Sequence, residues 1–205
     1  MNADGSDRGL TDADIERAAE AVRAGDPVVY PTETVYGLGA DATDPTAVER
    51  VYELKDRSRD KPLSVAFGGV EAALSLVPAS DRAERFARAF LPGPVTVVVD
   101  RGDALAPELT DGGPRVGIRV PDHRTARTLA GAAGPITATS ANRSGAGSVR
   151  RVADLDPRIR DGCAVVLDGG ETPGGESTVV DPDRGVIHRA GPLADEIREW
   201  LASEP

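Results

Sequence analysis

Four clusters in this sequence combine cations, hydroxyls and glycines in ways that suit anion binding. The first is PTETVYGLG, Pro31 to Gly39, where Thr32, Glu33, Thr34 and Tyr36 offer donors and acceptors. Gly37 and Gly39 let the backbone approach another group closely. The second, KDRSRDKPLSV, places Lys55, Arg57, Arg59 and Lys61 within seven residues, partly offset by Asp56 and Asp60. The third, ITATSANRSG, runs an apolar strand into Thr139, Ser140, Asn142 and Ser144. The fourth is dispersed: Arg119 in GIRVP, Ser177 in STVVD and Arg189 in IHRAG. An arginine in an apolar strand must be paired or face a cavity, because a lone buried charge is costly. Its planar fork suits a carboxylate or a phosphate. Each cluster also has a plainer reading: a polar turn, a solvated loop with local ion pairs, an Asn/Ser turn, or an arginine held by a structural carboxylate.

Several chemistries are excluded. There is no Ser-His-Asp set, no conspicuous pair of catalytic carboxylates and no GxxxxGK[ST] phosphate loop. GGETPGGES matches no dinucleotide fingerprint. The single cysteine, Cys163 in CAVVLD, rules out a disulfide framework and reads as a small buried hydrophobe. His123 and His188 lack metal-ligand spacing. A site of cations and hydroxyls works by positioning reactants and neutralising phosphate charge, without a covalent intermediate.

The net charge of −10 and pI near 4.7 argue against nucleic acid as the main partner. Of the 24 basic residues only Lys55 and Lys61 are lysines. An acidic surface nearly emptied of lysine suits a salt-rich setting that screens self-repulsion. Two lysines kept six residues apart in such a chain favour a phosphate-binding role. No apolar run approaches the ~18 residues of a membrane span, and MNADGSDRGL is no signal peptide. The expectation is a soluble cytoplasmic protein with residues 1–8 disordered and one domain over 9–203, without a C-terminal extension domain.

Interleaved elements must position these clusters. TDADIERAAEAVRAG predicts a helix with a Thr11/Asp14 capping box. DPTAVERVYELK predicts a second, capped by Asp44, with Val48, Val51, Tyr52 and Leu54 buried. GVEAALSLVP, SDRAERFARAFLPG, DHRTARTLAGAAG and ADEIREWLASEP read as helices, and VADLDPRIRDG as partly helical. PVVYPT, PLSVAF, PVTVVVD, RVGIRVP, PITATS, CAVVLDGG, STVVD and GVIHRAG read as strands or strand ends. The pattern predicts an α/β domain around a largely buried twisted sheet, with the strands after Asp161 close enough to form an antiparallel part.

PTETVYGLG, KDRSRDKPLSV, PGPVTVVV, VGIRVPDH, ATSANRSG and STVVD stand in the order found in the YrdC family, and residues 10 to 195 resemble it throughout. The resemblance implies an open, twisted mixed α/β sheet with a large concave positive cavity. It also implies an activity: L-threonine, bicarbonate and ATP, with Mg²⁺, would give L-threonylcarbamoyladenylate and pyrophosphate. A downstream tRNA threonylcarbamoyl-transferase complex would then modify adenosine 37 of tRNA. Carried over, the family's Lys-x-Arg…Ser-x-Asn signature falls on Lys55, Arg57, Ser140 and Asn142. Arg57, Lys61, Ser140, Asn142 and Arg189 would contact ATP. Lys55 and Arg57 would face the phosphates as catalytic cations. Thr32, Thr34, Arg119 and Ser177 would hold threonine. No protein ligand to the metal is implied.

The chain also departs from the family pattern. Ala66 stands where some members carry His, and RAG replaces RPG at Arg189 to Gly191. The family carries a Ser or Thr near Val149 or Arg150; in GSVRR an arginine is expected to reach the phosphates there instead. Two rival readings share the fold: an RNA-binding module, for which a weak direct tRNA contact would be the trace, and a related carbamoyl-adenylate-forming enzyme.

Overall fold

The computed structural model describes residues 9–203. The expected disordered segment 1–8 lies outside the described residues. The chain runs α1 (Asp12–Arg23), β1 (Val28–Tyr30), β2 (Gly37–Gly39), α2 (Pro45–Lys55), β3 (Ser64–Ala66), α3 (Val70–Leu74), α4 (Asp81–Phe90), β4 (Val95–Asp100), β5 (Arg115–Arg119) and α5 (Arg124–Ala133). It continues through β6 (Ile136–Ser140), α6 (Pro157–Asp161), β7 (Val165–Val166), β8 (Thr178–Asp181), β9 (Val186–Arg189) and α7 (Ala194–Ser203).

The helix starts follow their sequence signals. The Thr11 hydroxyl accepts from Asp14 N at 3.2 Å while the Asp14 carboxylate accepts from Thr11 N at 3.0 Å, the reciprocal box that TDAD predicts. The Asp44 carboxylate accepts from Thr46 N at 2.9 Å, and Pro45 opens α2. On α2 the buried face holds Val48, Val51 and Tyr52, but Leu54 is only half-buried and Lys55 is buried beside them.

Nine strands form one mixed sheet in the order β7-β1-β2-β6-β3-β5-β4-β8-β9. The pairs β1/β7, β3/β5 and β4/β8 are parallel and the other neighbours antiparallel. The expected antiparallel grouping after Asp161 holds for β8 and β9 alone. β7 lies at the opposite edge, Val165 beside Val28, because α6 buries Ile159 against the α2 side and delivers the chain there.

Side chains alternate across a strand, so each strand serves both faces. One face is apolar along the sheet: Val29, Leu38, Val65, Val97, Val99, Val116 and Ile118 join Val51 of α2 and Phe86 of α4 in the main core. The other face is divided. Over β1, β3 and β6, Val28, Tyr30, Ala66 and Ile136 pack against Ile15, Ala18 and Val22 of α1 and Leu129 of α5. Over β4, β5 and β8 the same face turns Thr96, Val98, Arg115, Gly117, Arg119, Ser177, Val179 and Asp181 into a cavity.

Candidate active site

The cavity has a volume of about 620 Å³. Its wall brings together Thr32, Thr34, Arg57, Arg119, Ser140, Ser177 and Arg189, seven of the residues expected from the sequence, from segments far apart in the chain. It also carries groups that the sequence reading did not single out: Tyr30, Thr96, Arg115, Asp181, Arg184 and His188. A period-two reading of RVGIR and STVVD would have found two of them. Arg115 shares the face of Arg119, and Asp181 that of Ser177.

At one corner the loop after β1 folds on itself. The Thr32 hydroxyl donates to Val35 O at 2.7 Å and lies 3.0 Å from the Thr34 hydroxyl. With the Thr32 proton used, Thr34 is the donor between them. Both lone pairs of the Thr34 oxygen then remain as acceptors, which suits an amine or hydroxyl of a ligand. Beside them Arg119 Nη2 contacts Glu33 Oε1 at 2.6 Å, and both side chains are nearly buried. The pairing is half-made: Glu33 Oε2 and Arg119 Nε have no hydrogen-bond partner. Arg119 is therefore held by a carboxylate from PTET, and it still lines the cavity.

The adjoining wall is a relay. Arg189 donates through Nη2 to the Ser177 hydroxyl and through Nε to Ser177 O, each at 2.9 Å. The Ser177 hydroxyl in turn lies 2.9 Å from that of Thr96. Further along, Asp181 is fully buried with Arg115 Nη2 at 2.9 Å and Arg184 Nε at 3.7 Å. Arg115 also reaches Asp100 at 3.0 Å. This far end is thus largely self-neutralised, whereas the corner around Arg57 is not.

Arg57 lies along its own loop, donating from Nε to Lys61 O at 2.8 Å and from Nη2 to Pro62 O at 3.0 Å. Lys61 contributes that carbonyl, and its side chain is exposed and outside the wall. Lys55 is not placed as expected. Its side chain does not line the cavity; it points behind the wall, 1% exposed, donating to Asn142 O at 2.6 Å and to Ser140 O. The reason is its helical position, since the last residue of α2 falls on the core side. Desolvation, with Arg57 nearby, pushes the Lys55 ammonium down to about 7. Asn142 too sits behind the wall: Nδ2 donates to Arg143 O at 2.9 Å and Ala146 O at 2.6 Å, and Oδ1 accepts from Ser140. The arginine expected from GSVRR also points elsewhere. Arg150 pairs with Glu171 at 2.9 Å and donates to Thr172 O, while Ser148 takes the place in the wall.

The two glycines of YGLG serve a neighbour within the fold. Tyr30 lies across them, and a Cβ on Gly37 would meet its ring at 2.7 Å, one on Gly39 at 2.9 Å. The close approach expected there is thus that of Tyr30, whose ring forms part of the cavity wall. Burial pushes its phenol up to about 12.

A family model named Sua5_yciO_yrdC and described as "Telomere recombination" matches residues 20–191. The chain belongs to this family. It is similar to a threonylcarbamoyl-AMP synthase of Bacillus subtilis, 40% identical over 195 residues, 90% of this chain and 55% of that protein. To the human threonylcarbamoyl-AMP synthase it is 39% identical over 84% of this chain and 64% of the relative. A crystal structure of Pyrococcus abyssi Sua5 complexed with L-threonine superposes with a TM-score of 0.83 at 37% identity, covering 93% of this chain and 57% of that one. The chain therefore spans between about half and two-thirds of the length of these relatives. The mixed sheet with flanking helices is the fold of these Sua5 and YciO neighbours.

Proposed function

We propose that this protein is a nucleotidyltransferase that makes L-threonylcarbamoyladenylate from L-threonine, bicarbonate and ATP, with release of pyrophosphate. One observation carries the reading: a single cavity joins an amino-acid-sized corner of Arg119, Thr34 and Ser177 to an anion-binding corner of Arg57 and Ser140. The threonine complex of the Pyrococcus abyssi relative supports threonine as the amino acid.

In this reading the threonine carboxylate sits on Arg119, and Thr34 accepts from the amine. The deprotonated amine adds to CO₂ with release of a proton to solvent, or to bicarbonate with loss of water, to give a carbamate. A carbamate oxygen attacks the α-phosphorus of ATP, and the bond to pyrophosphate breaks. Arg57, Ser140 and Arg189 hold the phosphate oxygens and neutralise the charge that moves onto the leaving group. Among the described residues no group of three His, Cys, Asp or Glu side chains is arranged to hold a metal. Mg²⁺ would come with the phosphates of ATP and would supply further charge neutralisation there. No side chain is assigned as general base; holding the reactants together supplies much of the rate. The product would pass to a tRNA threonylcarbamoyl-transferase complex for N6-threonylcarbamoyladenosine formation at position 37, in the cytoplasm. Among the described residues no helix is long and apolar enough to cross a membrane.

The test is pyrophosphate release by the purified protein with Mg²⁺ in high salt. Release that needs both L-threonine and bicarbonate is expected. Release that ignores threonine, or RNA binding that persists without ATP and falls steeply with salt, would overturn the assignment.

A further inference from the structure

We propose that Lys55 is a positioning residue whose buried ammonium clamps the Ser140–Asn142 turn, and with it the nucleotide end of the cavity, without touching a ligand. The inference rests on the reading of that end as the ATP site. The clamp is made twice. The ammonium donates to the carbonyls of Ser140 and Asn142, and the Lys55 carbonyl accepts from Ser144 N at 2.7 Å. Within the turn Ser140 donates to Asn142 Oδ1, and both Asn142 Nδ2 contacts are to the same loop. The carbonyls of Ser140 and Asn142 and the Asn142 side chain are thus engaged within this part of the fold, and Ser140 also lines the cavity.

This geometry explains why a lysine survives at a position where the chain has arginine nearly everywhere else. An ammonium is a compact point donor that fits between two carbonyls, whereas a guanidinium fork is wide and planar. Lys61 differs: it is exposed, and only its backbone is used.

The same geometry leaves the Lys55 charge without a counter-ion. The charged neighbours are Arg57, a like charge, and Asp56, which is turned to Arg143 at 2.9 Å. Across the cavity stand His188, Arg189 and Glu176. A polyphosphate bound against Ser140 and Arg57 would supply the missing negative charge through the thin wall. ATP binding is then linked to proton uptake by Lys55 at a pH where the empty protein holds it partly neutral.

The experiment is titration calorimetry of MgATP and, separately, L-threonine at pH 8, in buffers of differing ionisation enthalpy. The variants are Lys55→Met, Lys55→Arg and, as a control in the cavity wall, His188→Gln. Wild type and His188→Gln are expected to take up a fraction of a proton with MgATP. Lys55→Met and Lys55→Arg are expected to lose that uptake and to bind MgATP roughly 10- to 100-fold more weakly. Their affinity for threonine is expected to stay within about twofold, since its corner lies on other strands. Wild type that binds both ligands, with Lys55→Arg as tight as wild type, overturns the clamp and leaves the function reading standing. Absent proton uptake in His188→Gln overturns it without any Lys55 variant having to fold. Wild type that binds neither ligand sinks the function reading and this inference with it.

Discussion

The two halves of one sheet face carry different sequences on the same backbone pattern. At one end of β1, β3 and β6 the outward positions Val28, Ala66 and Ile136 are sealed by α1 and α5, while Tyr30, Ser64, Ala138 and Ser140 on the same face of these strands reach the cavity. Over β4, β5 and β8 the outward positions are Thr96, Arg115, Arg119, Ser177 and Asp181, left open to the cavity. The reverse face is apolar under both halves, with Val29 and Val65 beneath one and Val97 and Ile118 beneath the other. The comparison teaches that stability and recognition are divided by strand face. On β1, β3, β4 and β5 one parity builds the main core, and the other is free to become either helix seat or ligand floor.

The sharpest way to break this division is to change each half and ask which property fails. Arg119→Ala removes the proposed carboxylate partner and strands Glu33. Threonine affinity is expected to fall at least about 30-fold, read by calorimetry. Leu129→Ala on α5 opens a hole in the sealed half, where Leu129 is fully buried. It is expected to cost about 2–5 kcal/mol in urea unfolding, with ligand affinities unchanged. Gly37→Ala tests the boundary between the halves, because its Cβ would drive the Tyr30 ring toward the cavity. A loss of about 1–3 kcal/mol, with weaker ligand binding, is expected.

Lys55 gives a smaller, pH-dependent signature. Its ordinary value of 10.5 falls to about 7 in the fold. Between these values the unfolded chain binds more protons, so stability rises with pH above 7. The rise is expected to stop near pH 9, the ordinary value of the Cys163 thiol, which burial pushes up to about 12. Above pH 9 the thiol proton that the unfolded chain gives up offsets the one it still holds on Lys55, so stability levels off, and it falls only above pH 10 as Tyr30 and Tyr36, pushed up to about 12 by burial, ionise in the unfolded chain first. Urea midpoints from pH 7 to 9 would show the slope in wild type and not in Lys55→Met. The smallest effect is expected at Arg88, whose exposed pairs with Glu71 and Glu84 are screened by solvent. Arg88→Ala should leave the melting temperature unchanged within error.

Much of this was legible in the sequence. The helix caps at Thr11 and Asp44 are local chemistry and came out as read. So did the gathering of Thr32, Thr34, Arg57, Arg119, Ser140, Ser177 and Arg189, because motifs at strand ends converge once the strands pair. What escaped was non-local. β2, at three residues, is too short to carry a period, and pairing alone defines it; β7 is legible as a strand within CAVVLDGG, but its place at the far edge beside β1 is not. Gly37 and Gly39 signalled a close approach without saying to what; the cross-strand register with Tyr30 decides it. Lys55 read as part of a charged loop, and only the helical register shows that it turns inward. The partner of Arg119 is Glu33, 86 residues away. No local pattern links the two.

The most direct test of the central claim is a crystal structure with L-threonine and a non-hydrolysable ATP analogue together. The account predicts the threonine carboxylate on Arg119 and the phosphates against Arg57 and Ser140, with Lys55 still on the carbonyls of Ser140 and Asn142. Ligands seated outside the cavity, or phosphates in direct contact with the Lys55 ammonium, would contradict it.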